Sequence, residues 1–232
     1  MTVKPKNKNS DNKNMMIIGG VVVAAIIVAI AVIMMSSQSS LGGVSVDYSA
    51  IPQERLADGG FVLGNPEAPV TIVAFEDFLC PHCQAYKSVT SQFIKQYVAT
   101  GIARFEYRFL PAVDPTYSAL SAKFAECADI LKPGSFWNAH DVMFELASAA
   151  RFNNSTPRTF AERMDIPYTD LLECSGDEAN QVNVDLELAR ELGATGTPTV
   201  MVRYNGSSPQ PSPFGQQPSF EQLGVIITTS SQ

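Results

Sequence analysis

The chain has 232 residues, a net charge of −7, 45% hydrophobic residues and four cysteines. That length suits one domain, or one domain carrying an insertion. The mixed composition excludes collagen, low-complexity chains and a small disulfide-stapled knot. The negative charge argues against a nucleic-acid binder, because most of the chain repels phosphate.

Charged residues make up only 17% of the chain, and one segment has a large share in the deficit. Met15 to Met35 is an uncharged run, almost all Ile, Val, Ala and Met. At 1.5 Å per residue it is long enough to cross a hydrocarbon core of roughly 30 Å. Residues 1–14 form a basic tail with Lys4, Lys6, Lys8 and Lys13 against the single acid Asp11; after the run the next basic residue is Arg55. That asymmetry predicts a retained transmembrane signal anchor at 15–35, with the N-terminus inside and the rest of the chain on the extracytoplasmic side. A cleaved signal peptide is the alternative, although its apolar stretch is usually about 7–15 residues. Residues 36–60, with Ser, Gly and few large side chains, read as a tether.

Pro69 to Phe75 is rich in β-branched residues and reads as a buried strand. Asp77-Phe-Leu-Cys80-Pro81-His82-Cys83 follows, and then Tyr86, Val89, Phe93 and Tyr97 fall at helical spacing until Gly101. Ile102 to Leu110 alternates and predicts a second strand. Helical patterning fills the next block, as Ala119–Ile130, Phe136–Ala150, Thr159–Met164, Thr169–Cys174 and Asp177–Leu192, with Gly193 as the stop. Thr199–Tyr204 predicts a third strand, and Phe220–Ile227 a terminal helix weakened by Gly224. A strand–helix–strand half, a helical block and a returning strand suggest an α/β sheet with a helical insertion.

Cys80-Pro81-His82-Cys83 carries the chemistry. The spacing puts both sulfurs on one helical turn, where they can close a small ring. Pro81 suits the first helical position, since its missing N–H has no intrahelical partner there. Cys80 then sits at a helix start, whose free amides and positive dipole end stabilise a thiolate. His82 can add a donor or a positive charge. Stabilising the reduced form makes the disulfide a stronger oxidant. Zinc needs four ligands, and the two other cysteines and two histidines are poorly spaced for it, so no metal is expected. A purely structural local disulfide is the other alternative.

Cys127 and Cys174 remain. In an oxidising compartment leftover cysteines usually pair, so a structural disulfide is expected. A second redox couple or two unpaired thiols are the alternatives. His140, alone on an amphipathic helix, reads as structural.

The segments Val70–Cys83, Phe136-Trp-Asn-Ala-His-Asp141 and Gly193-Ala-Thr-Gly-Thr-Pro-Thr199 together resemble DsbA-type thiol–disulfide oxidoreductases, over roughly residues 61 to 228. The resemblance implies a thioredoxin fold at 61–117 and 191–232, interrupted by a helical domain at 118–190. It implies that Cys80 attacks, Cys83 resolves and His82 tunes the potential. Thr197-Pro198 resembles the cis-proline loop that pairs with substrate backbone. The implied partners are unfolded exported proteins with reduced cysteines, and a membrane reoxidase of the DsbB-like or vitamin K epoxide reductase-like kind. No flavin, haem or metal motif is present, so no cofactor is expected, and a monomer is expected. A reductase or isomerase on the same fold, or a peptide-binding chaperone module, is the rival reading. One departure stands out. Relatives often carry a Glu six residues before the first cysteine as a proton relay, where this chain has Ala74. Glu76 is the candidate replacement and Asp77 matches an acid common in the family, with a solvated strand end as the plainer reading of both.

Overall fold

The computed structural model describes residues 46–149 and 152–230. Their sheet contains β1 (Gln53–Arg55), β2 (Phe61–Gly64), β3 (Val70–Glu76), β4 (Arg104–Phe109), β5 (Thr199–Tyr204) and β6 (Gln210–Pro211) in the order β1-β2-β4-β3-β5-β6. β3 and β4 run parallel, joined through α1 (Pro81–Phe93) and a π-helical extension, Ile94–Val98. The other pairings are antiparallel. Between β4 and β5 come α2 (Tyr117–Leu131), α3 (Phe136–Ala149), α4 (Thr156–Met164), α5 (Tyr168–Asp177) and α6 (Gln181–Leu192); α7 (Phe220–Ser230) follows β6. This is a thioredoxin-type sheet with a helical block inserted before β5.

β3 is buried at every position, as a continuous apolar run in a central strand should be. On one face Ala74, Tyr107 and Phe109 pack with Phe78, Phe136 and Trp137. Phe61 lies flat on Phe136, ring centroids 3.5 Å apart. On the opposite face Val73, Phe75 and Met201 meet Ala189 of α6.

Three differences from the sequence reading change how the segments are grouped. The described part of the 36–60 segment, from Val46, is packed rather than a free spacer. Ile51 is buried, β1 pairs with β2, and Arg55 reaches Glu126 of α2 at 2.6 Å. β1 and β2 are too short for a pattern to show, and Arg55 meets Glu126 from far along the chain, so composition does not reveal this packing. Second, the last helix of the block starts at Gln181, because Glu178–Asn180 break the chain after α5. Third, α6 covers the far face of the sheet, so it belongs with the thioredoxin layer although it lies largely within 118–190. Gly193 ends α6 in the left-handed region at φ 73°, where a residue without Cβ is favoured. The segment read as a membrane anchor, Met15–Met35, lies outside the described residues, as does the basic tail. Among the described residues no helix is long and apolar enough to cross a membrane.

Cys127 of α2 and Cys174 of α5 are joined by a disulfide closing a sequence separation of 47. By the chain-entropy relation a loop of that size stabilises by about 4 kcal/mol at most. Replacing both cysteines with serine is expected to lower the melting temperature by roughly 10 °C, read by thermal unfolding, and to leave the Cys80–Cys83 chemistry in place.

Candidate active site

The site begins where β3 ends. Cys80 is the N-cap of α1 and Pro81 occupies its first turn; no side chain caps the helix. The open first-turn amides are therefore available to a negative charge at the helix start. Cys80 N–H donates to Asp77 O at 3.0 Å, and Gln84 N–H donates to Cys80 O at 3.0 Å. Both cysteines are free thiols. Cys80 keeps 4% of its surface in solvent and Cys83 none, while Pro81 and His82 are exposed.

The loop before β5 faces this turn. The Thr197–Pro198 peptide bond is cis. The Cys80 thiol donates to Thr197 O at 3.4 Å, so residues 117 positions apart meet at this sulfur. Thr199 Oγ1 ties the loop down by donating to Gly196 O at 2.6 Å. Thr197 is half-buried and Pro198 is buried. Burial pushes the Cys83 thiol well above the ordinary range, and Glu76 adds to the effect; the Asp77 amide and the Thr197 hydroxyl work against it. Cys83 is thus a poor place for a standing negative charge.

The two acids at the end of β3 are not on a solvated strand end. Asp77 is buried and organises the turn: Oδ1 accepts Leu79 N–H, and Oδ2 accepts Ala112 N–H and Val113 N–H, all at 2.9 Å. Glu76 is 1% exposed, and among the described residues neither of its oxygens has a hydrogen-bond partner. Burial raises its carboxyl to about 8, against the lowering influence of Lys87.

Sequence reasoning did not single out three neighbours of these groups. Tyr107 of β4 is fully buried, and among the described residues its hydroxyl has no partner. Lys87, one turn along α1 from Cys83, pairs with Asp141 of α3 at 2.9 Å. Tyr48 donates to both Asp141 oxygens, at 3.0 and 2.9 Å. A lysine at the i+4 position from Cys83 was the available signal for Lys87; the others depend on long-range packing. Among the described residues no group of three or more His, Cys, Asp or Glu is placed to hold a metal ion.

A C-x-x-C turn at a strand-to-helix junction, facing a proline loop on a mixed sheet, defines a protein of the thiol–disulfide exchange class. The chain belongs to the thioredoxin family, whose model matches residues 56–212. It is 31% identical over 155 residues to Na(+)/H(+) antiporter NhaA 3 of Salinispora tropica, a match covering 64% of this chain. The chain spans only 23% of that antiporter's length. It is 27% identical over 164 residues to Disulfide bond formation protein D of Bacillus subtilis, covering 66% of this chain and 72% of that one. Among solved structures, oxidised BdbD of Bacillus subtilis matches with a TM-score of 0.62 and 24% identity, over 78% of this chain and 97% of that one. Alpha-DsbA1 of Wolbachia pipientis matches with a TM-score of 0.60 and 18% identity, over 73% and 89%. These two likenesses establish the fold.

Proposed function

We propose that the protein is a membrane-anchored thiol–disulfide oxidase that introduces disulfides into exported proteins through the Cys80–Cys83 couple. The observation that carries this reading is the difference within the pair: Cys80, at the helix start, keeps 4% of its surface in solvent and meets Thr197 O at 3.4 Å, whereas Cys83 keeps none. A substrate thiolate attacks Cys80 Sγ of the oxidised pair, and Cys83 departs as the leaving group and takes up a proton, since its buried site disfavours the thiolate. A second substrate thiol then attacks the mixed disulfide and releases Cys80, leaving an oxidised substrate and a reduced enzyme. His82 tunes the potential from its exposed position between the sulfurs, and Pro81 sets the first turn. The backbone at Thr197-Pro198 pairs with extended substrate. Beside Pro81 a groove of about 520 Å³, lined by Leu79, Gln84, Val113, Tyr117 and Phe152, suits apolar side chains of an unfolded chain.

The anchor at Met15–Met35 holds the catalytic part on the extracytoplasmic side, where exported proteins arrive reduced. Electrons leave to a membrane reoxidase of the DsbB-like or vitamin K epoxide reductase-like kind. The curated relative named as a disulfide bond formation protein supports the oxidative direction.

Equilibrating the full chain in detergent against glutathione tests the direction. An oxidase is expected near the about −120 mV of DsbA; a value near the about −270 mV of thioredoxin would overturn it in favour of a reductase. Cys80→Ser is expected to abolish oxidation of a reduced, unfolded substrate. Unchanged oxidation by this variant would show that the couple contributes nothing to it and would favour a peptide-binding role.

A further inference from the structure

Three buried polar groups on one side of the sheet have no hydrogen-bond partner among the described residues: both Glu76 oxygens, Tyr107 Oη and His140 Nε2. Native cores rarely leave such groups unpaired, since each costs about 1–3 kcal/mol, and clusters of them are commonly bridged by buried water. These three are neighbours. In the β3–β4 register Ala74 pairs with Tyr107 and Glu76 with Phe109, so Glu76 and Tyr107 project from the same face, one step apart on the diagonal. The small Ala74 side chain stands opposite Tyr107. The Tyr107 ring meets the His140 ring edge-on, centroids 4.8 Å apart. Cys83 lies in the same core.

The far end of this series reaches the surface. His140 Nδ1 lies 2.9 Å from Asp141 Oδ1, and the Asp141 side chain is 31% exposed. Burial works to raise the Asp141 carboxyl, but His140 and Lys87 outweigh it and hold it ionised, below the usual carboxylate range. Burial lowers His140, keeping the ring neutral near pH 7. A neutral ring facing an ionised carboxylate carries its hydrogen on Nδ1, so Nε2 turns a bare acceptor toward the interior.

We propose that Glu76, Tyr107 and His140, bridged by buried water, form a proton path that carries the Cys83 proton to Asp141 at the surface. The proposal rests on the reading of Cys80–Cys83 as a redox couple and assigns a role to residues outside that couple. During reoxidation the Cys80 thiolate attacks a disulfide oxidant and displaces one thiolate. Cys83 then gives its proton to the Glu76 carboxylate, its sulfur bonds to Cys80 Sγ, and the oxidant's second sulfur leaves as a thiolate. Two electrons pass from the enzyme pair to the oxidant. Because Glu76 holds its own proton below about pH 8, it must first discharge through Tyr107 and His140. The other ionisable groups acting on this path are Tyr86 and Lys87 of α1, Asp77 after β3, Cys80, Asp185 of α6, and, at its Asp141 end, Tyr48 before β1 and Glu145 of α3.

Oxidised glutathione is the probe. With the reduced full chain, rapid quenching separates formation of the Cys80–glutathione mixed disulfide from its resolution by Cys83. Tyr107→Phe is expected to leave formation unchanged and to slow resolution about tenfold at pH 6.5. At pH 9, with Glu76 already ionised, it is expected to match the wild type. Glu76→Gln is expected to slow resolution at both pH values. A merely structural Tyr107 predicts something else, because deleting an unpartnered buried hydroxyl is neutral or stabilising and leaves the pH profile of resolution unmoved. Resolution by Tyr107→Phe at the wild-type rate at pH 6.5 would overturn the path. Failure of the wild type to form the mixed disulfide at Cys80 would instead overturn the redox reading on which it rests.

Discussion

Arg108→Ala is expected to cost about 3–5 kcal/mol of stability, the range seen when one partner of a buried charge network is removed. Arg108 has no exposed side-chain surface. Its Nε donates to Glu106 Oε1 at 2.8 Å, Nη1 to Asp185 Oδ1 at 2.9 Å, and Nη2 to Asp58 at 2.8 and 2.9 Å. Gly60 lies against the guanidinium so closely that a Cβ there would stand 2.3 Å from Cζ, which is why a glycine precedes β2. Without Arg108, Glu106 keeps Arg203 at 3.0 Å, whereas Asp185 keeps, among the described residues, only the Gln181 amide at 2.9 Å and the Phe109 N–H at 2.8 Å. Two carboxylates that are 0% and 1% exposed are then left short of positive charge. Burial already raises Asp185 to about 6, so acid relieves the variant by protonating it. Urea unfolding followed through Trp137, the single tryptophan, is expected to show a smaller deficit at pH 4.5 than at pH 7.5. A deficit equal at both would mean that lost packing, not charge, is responsible.

Glu76→Gln is expected to stabilise the protein at alkaline pH. Glu76 titrates at about 8 in the folded chain against an ordinary value of 4.5, so the folded state binds its proton more tightly than the unfolded state does. The stability held by that proton is complete below about 4.5 and is lost as pH rises through about 8. The gap corresponds to roughly 5 kcal/mol at 1.36 kcal/mol per pH unit. Glutamine does not titrate and keeps the shape. Wild type and variant, compared in the same redox state by urea unfolding, are expected to diverge between pH 5 and pH 9, with the variant the more stable at pH 9. Parallel pH curves would show that Glu76 ionises freely in the folded chain.

Much of the site is legible in the sequence because local rules govern it. Pro81 in a first turn, Cys80 as N-cap, Gly193 as a stop and the Thr199–Tyr204 strand each follow from backbone geometry within a few residues. The fate of the strand acids does not. Alternation in Arg104–Phe109 assigns Glu106 and Arg108 to the face opposite Phe105 and Tyr107, but says nothing of what covers that face, and α6 with Arg203 covers it. Glu76 and Asp77 likewise look like a hydrophilic strand end until Lys87, Tyr107 and the 111–113 turn close around them. β1, β2 and β6 are too short to show a period of their own: β1 meets β2 and β6 meets β5 as brief local pairings, while β2 also pairs with the distant β4, Phe61 against Tyr107. His140 reads as structural because its neighbours in space, Tyr107 and Phe78, are remote along the chain.

Glu126 serves three parts of the molecule at once. It accepts from Arg55 in β1, receives the backbone N–H of Gln181 at the start of α6 at 2.9 Å, and sits in α2 next to the bridged Cys127. A recombinant fragment cut at the compositional border near residue 60 would therefore strip away an outer rung of the sheet and strand a hidden acid, laying Phe61 bare. Anyone preparing a portable version of the enzyme should start the reading frame at Val46 or earlier.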